Sequence, residues 1–96
     1  MQKILKYPIT IVDSQIVSVP RGFKPLSVQM EFGNGLYLWV QAESEAPLVS
    51  VIIRMFGTEH LPMEGVDDID IGEFLGSIHA MNGPQVYHVY YRVVGE

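Results

Sequence analysis

An all-β fold, a small antiparallel sandwich or barrel of about seven strands, is what this sequence predicts. Three observations carry that reading. Apolar and polar residues alternate with period two along most of the chain. Turn-forming groups such as Gly33-Asn34-Gly35 and Pro20-Arg21-Gly22 interrupt it at short intervals. No window carries a convincing helical apolar stripe, although a short helical turn around Met63 to Asp70 stays open.

Taken in order, Ile9-Thr10-Ile11-Val12 and Gln15-Ile16-Val17-Ser18-Val19 read as two short strands around Asp13-Ser14, the second ended by Pro20-Arg21-Gly22. In the next strand Leu26, Val28, Met30 and Phe32 face one way and Ser27, Gln29 and Glu31 the other. Gly33-Asn34-Gly35 suits the positive φ of a hairpin turn. The return strand, Leu36 to Ala42, is apolar on both faces and therefore reads as central. After a polar loop at Glu43 to Pro47, a long strand from Leu48 to Phe56 sets Val49, Val51, Ile53 and Met55 on a wholly apolar face. Ser50 and Arg54 sit among Leu48, Ile52 and Phe56 on its other face. Ile69 to Ala80 reads as extended, with Gly72 and Gly76 as bulge or bend positions. Met81-Asn82-Gly83-Pro84 then turns into a last strand from Gln85 to Val94. There Tyr87, Val89, Tyr91 and Val93 share one face, and His88, Tyr90 and Arg92 the other.

Ninety-six residues form one domain, residues 1–96, with a modest core. Apolar residues at 48% against charged residues at 18% argue for folding rather than disorder. A mean hydropathy of +0.20 is high for so small a chain, which predicts exposed apolar side chains and a homo-oligomer that covers some of them. The chain has no cysteine, which excludes disulfides and thiolate chemistry. No stretch reads as a signal peptide or a membrane span, so the expected location is the cytoplasm. Net charge is −5, and six of the eleven acids fall between Glu59 and Glu73 with no basic residue among them. That balance argues against direct nucleic-acid binding.

Three candidate sites stand out. Thr58 and His60, after Gly57, offer hydrogen bonds to a ligand, or in His60 a general base. The competing use is structural, with Gly57 bending the chain and Thr58 or His60 tying up the loop backbone. His88 and Arg92 share a strand face, and Arg54 occupies the mixed face of another strand. If those strands pair, an imidazole and two guanidinium groups converge on an anion such as phosphate, while Trp39, Tyr37 and Tyr90 offer stacking surfaces. The competing use pairs the arginines with surface acids and leaves His88 a hydrogen-bonded core residue. The acidic run Asp67, Asp68 and Asp70 reads as a solvated edge, or as a surface presented to a basic protein groove. It fails as a calcium loop because its glycine comes a position early and flanking helices are missing. His60, His79 and His88 are too scattered for a zinc site, and no phosphate loop or nucleophile elbow occurs, so neither metal nor cofactor is expected.

Lys6-Tyr7-Pro8, Lys24-Pro25-Leu26-Ser27-Val28-Gln29, Leu38-Trp39, Phe56-Gly57-Thr58-Glu59-His60, Ile71-Gly72 and Tyr87-His88-Val89-Tyr90 follow one another along the chain. This series resembles a family of small proteins from tailed phages and prophage-bearing bacterial genomes that carry a domain of unknown function. Its most specific marks are a Phe-Gly-Thr-Gly-His segment and an aromatic-His-Val-aromatic ending. Here Glu59 replaces the glycine, and Leu61-Pro62 follows the histidine where the family commonly has proline directly. The resemblance implies a phage or prophage accessory protein acting in the bacterial cytoplasm. It implies no catalytic residues.

The functional expectation is a non-catalytic protein that binds and neutralises a host target. In one form it sequesters a nucleotide-like immune signal, with Arg54, Arg92, His88 and Thr58 for phosphate, Trp39 or a tyrosine for the base, and His60 as a further ligand-binding residue. The alternatives are an acidic inhibitor acting on a host protein through Asp67, Asp68 and Asp70, a minor structural component of the phage, or an enzyme using His60 or His88.

Overall fold

The computed structural model describes residues 1–31, 35–58, 72–79 and 85–95, and among them every regular element is a strand. The strands are β1 (Gln2–Ile9), β2 (Ser14–Pro20), β3 (Lys24–Met30), β4 (Leu36–Glu43), β5 (Leu48–Gly57), β6 (Glu73–His79) and β7 (Val86–Gly95). They form two antiparallel sheets, one ordered β1-β4-β3 and the other β2-β5-β7-β6. The sheets pack face to face and do not close into a barrel.

The alternation read from the sequence decides which side of each strand is buried. From the three-stranded sheet Val28, Leu36, Leu38 and Val40 point inward, and Val19, Val49, Val51, Ile53, Met55, Ile78 and Val89 meet them from the four-stranded sheet. Val40, Val51, Ile53 and Val89 are fully buried. At one flank β3 lies over β6, close enough that a Cβ at Gly76 would touch Val28.

Two glycines are required by geometry. Gly22 adopts φ +80° in the turn after β2, where the Phe23 N–H donates to the Pro20 carbonyl at 3.2 Å. Gly72 adopts φ +92° at the entry to β6, and a Cβ there would stand 2.1 Å from the Tyr91 carbonyl oxygen. The bulge expected near Gly76 is present as a register shift between Phe74 and Gly76.

The start of the chain departs from the sequence reading. The first strand is Gln2–Ile9 rather than Ile9 to Val12, and all eight of its residues pair with β4. Lys3, Lys6 and Pro8 obscure the pattern, yet these are residues that an edge strand tolerates. Leu5, Tyr7 and Ile9 supply its inward face. Thr10 to Asp13 instead carries the chain from one sheet to the other. The Gln15 amide holds that crossing by donating to the Thr10 carbonyl at 2.6 Å and accepting the Thr10 N–H at 3.1 Å. Leu26 also departs, because a register shift between Pro25 and Ser27 leaves it 42% exposed.

Candidate functional site

The outward face of the four-stranded sheet gathers most of the polar groups singled out in the sequence. The β5–β7 register sets Phe56 opposite His88, Arg54 opposite Tyr90 and Ile52 opposite Arg92. Since Ile53, Met55 and Val89 point into the core, period-two geometry sends Arg54, Phe56, His88, Tyr90 and Arg92 outward together. Arg54 is then diagonal to both His88 and Arg92, a separation of roughly 7–8 Å that long side chains span. On the other side β6 sets Ser77 opposite His88 and Phe74 opposite Tyr90.

His88 is held at both ring nitrogens. Nε2 lies 2.9 Å from the Thr58 hydroxyl, and Nδ1 lies 2.8 Å from the Ser77 hydroxyl. Thr58 donates its own hydroxyl to the Val86 carbonyl at 3.4 Å, and its backbone N–H donates to the same oxygen at 3.1 Å. A Thr58 hydroxyl used as a donor there is left to accept from imidazole Nε2–H. Nδ1 then accepts from Ser77, which assigns the ring its Nε2–H tautomer. Thr58 thus ties the end of β5 to β7, the structural use, and also orients the imidazole.

Beside the imidazole stands an aromatic group. Tyr90 makes edge contacts with Phe56, at 5.8 Å and 75°, and with Phe74, at 5.3 Å and 61°. The Arg54 guanidinium lies 5.1 Å from the Phe56 ring centroid. Arg92 is the unusual member of this face. Its Nε–H is buried and has no hydrogen-bond partner among the described residues, the kind of group that costs free energy until an acceptor arrives.

Trp39 and Tyr37 belong elsewhere. They lie on β4 of the other sheet, alternating with the buried Leu36, Leu38 and Val40, and so face outward on the opposite side of the sandwich. The expectation that Trp39 stacks a base beside Arg54 and Arg92 is therefore corrected. β4 and β5 are consecutive strands, but the loop between them changes sheet. The Lys6 ammonium lies 4.1 Å from the Tyr37 ring and 5.3 Å from Trp39, and it donates to Glu31 at 2.9 Å.

His60, Asp67, Asp68 and Asp70 lie outside the described residues. Sequence reasoning missed Ser77, Phe56 and Phe74. The alternation in β6 and its antiparallel pairing with β7 were the available signals, but the bulge at Leu75 breaks the period that would have aligned Ser77 with His88. Among the described residues no group of three or more His, Asp or Glu side chains is placed to hold a metal ion. Among the described residues no helix is long and apolar enough to cross a membrane.

Fold and site together define a two-sheet antiparallel β-sandwich with a cationic, aromatic outward face. Within that class the chain belongs to a family described as a domain of unknown function, DUF7352, whose model matches residues 1–96. Comparison with curated proteins and with solved structures gives no match.

Proposed function

We propose that this protein is a non-catalytic binding domain whose outward face on the four-stranded sheet takes an anionic, ring-bearing ligand of the nucleotide type. The observation that carries the reading is the common register of Arg54, His88 and Arg92 beside Phe56, Tyr90 and Phe74, with the Arg92 Nε–H lacking an acceptor. A phosphate oxygen supplies that acceptor and is attracted by both guanidinium groups. The edges and faces of the ring cluster offer stacking area for a base. His88, held by hydroxyls at both nitrogens with its one N–H committed to Thr58, braces the floor of the face rather than acting as a mobile base. Resemblance to phage accessory proteins supports a biological use in which the domain withholds such a ligand from a host response in the bacterial cytoplasm.

The test combines native mass spectrometry of protein purified from bacteria with calorimetric titration by mononucleotides and cyclic dinucleotides. Saturable binding is expected, with adenosine binding much more weakly than adenosine monophosphate. Arg92→Ala should weaken nucleotide binding roughly ten- to a hundredfold, the effect of losing a charge-assisted hydrogen bond. Nucleotide binding that survives Arg54→Ala and Arg92→Ala unchanged, or no binding across the panel, overturns the reading.

A further inference from the structure

Among the described residues the two sheets present four edge strands, and their sequences treat the exposed backbone differently. β1 carries Lys3, Lys6 and Pro8 along its free edge. β3 begins Lys24-Pro25 and bulges at Leu26. β6 begins with Glu73 and bulges at Leu75. Each of these features discourages a further strand from adding to the sheet. β2 has only one of them, Pro20 at its last position. From Ser14 to Val19 it contains no charge and no proline, and it runs in unbroken register with β5, its only sheet neighbour among the described residues. Its outward Ile16 is 67% exposed and lies opposite Ile52 of β5. A neutral edge in unbroken register, with an exposed apolar side chain on its outward face, is a template for strand addition.

We infer that β2 is the dimer interface, pairing antiparallel with β2 of a second copy about a twofold axis at Val17. The flanking charges favour a second copy over an unrelated strand. A twofold axis perpendicular to the sheet pairs residues whose numbers sum to twice 17. Val17 then meets Val17, Ile16 meets Ser18, and the two Ile16 side chains become diagonal neighbours. The same register sets Asp13 of each copy opposite Arg21 of the other, one opposite-charge pair at each end. Asp13 and Arg21 are both exposed, and within one chain neither forms an ion pair among the described residues. The result is a continuous eight-stranded sheet whose outward face carries two copies of the Arg54–His88–Arg92 group. The inference does not depend on the ligand reading, because none of the ligand-facing residues lies on β2.

Sedimentation equilibrium of the full chain tests it, with circular dichroism confirming that each variant keeps its strand content. The expected mass is twice 10.8 kDa. Ile16→Lys should give a folded monomer, whereas Ile4→Lys on the β1 edge should leave the dimer intact. Arg21→Asp should weaken association roughly tenfold, and adding Asp13→Arg should restore most of that loss by exchanging the partners at both ends. A wild-type monomer at several hundred micromolar, or a dimer indifferent to Ile16→Lys, overturns the inference. Failure of the charge exchange to rescue association removes the Val17-centred register.

Discussion

The two outward faces of this sandwich contain similar chemistry and treat it in opposite ways. On the three-stranded sheet a cation, two aromatic rings and a carboxylate satisfy one another, with Lys6 lying over Tyr37 and Trp39 and bonded to Glu31. On the four-stranded sheet the rings pack among themselves, the imidazole is held by hydroxyls, and a buried guanidinium N–H has no acceptor. A face whose charges are already matched gains little from a ligand. One that holds an unmet donor beneath partly exposed rings gains a hydrogen bond and covers apolar area at the same time. Composition does not distinguish the faces, since each has cations and aromatics. Register does.

The largest disturbance should come from the core that both faces share. Ile53 is fully buried, with Gln15 of β2 and Tyr91 of β7 as its partners in register on either side. Ile53→Ala is expected to destabilise the domain by about 2–5 kcal/mol, through lost transfer energy and the cavity left behind. Urea denaturation measures this. The loss should appear equally whether unfolding is followed by Trp39 fluorescence, which reports the three-stranded sheet, or by loss of strand dichroism. Two separated transitions would show that the faces are not coupled through one core.

The sharpest comparison replaces one cation on each face by an apolar residue of similar length. Arg92→Met removes a buried unpartnered N–H, so stability should stay within about 1 kcal/mol of the parent, on the stabilising side. Nucleotide affinity should nevertheless fall roughly tenfold or more. Lys6→Met removes an exposed ion pair and an aromatic contact, and stability should fall by about 1 kcal/mol with ligand affinity unchanged. Denaturation and titration of the two variants in parallel would test both halves. If Arg92→Met destabilised the protein and Lys6→Met abolished binding, the roles given to the faces would be reversed.

Much of this arrangement is legible in the sequence, and the remainder is hidden for physical reasons. Alternation in β5 and β7 places Val49, Val51, Ile53, Met55 and Val89 inside, and so places Arg54, His88 and Arg92 on the opposite sides of their strands. Period two fixes the side of a strand but not which strands are neighbours. Trp39 looks compatible with the anion site until the β4–β5 loop is seen to change sheet. β1 escapes recognition because protection of an edge introduces lysine and proline into a strand and blurs its pattern. Ser77 is concealed by the bulge at Leu75, which shifts the alternation by one residue midway along β6.

The smallest effect concerns the inward side of β7, one residue from the proposed site. Tyr91 donates its hydroxyl to Glu73 at 2.8 Å and packs edge-on against Phe23 at 5.8 Å. Burial, the hydrogen bond to Glu73 and that carboxylate's charge together push its phenol up to about 12. Burial also raises the Tyr7 phenol on the other sheet. The neutral phenol is therefore favoured more in the folded chain than in the unfolded one, where a tyrosine titrates near ~10. The contribution to stability is complete below that unfolded value and is lost as pH rises from there toward about 12. Denaturation midpoints in that window should decline with a slope that Tyr91→Phe reduces, and ultraviolet titration should show one late phenol that the same substitution removes. Lys6→Met and Arg92→Met should leave the Tyr91 titration in place, since both side chains face outward while the phenol turns toward the core. A late titration abolished by either outward substitution would mean that inner and outer sides of the sheet are electrostatically joined, and the separation of the two faces would have to be redrawn around β7.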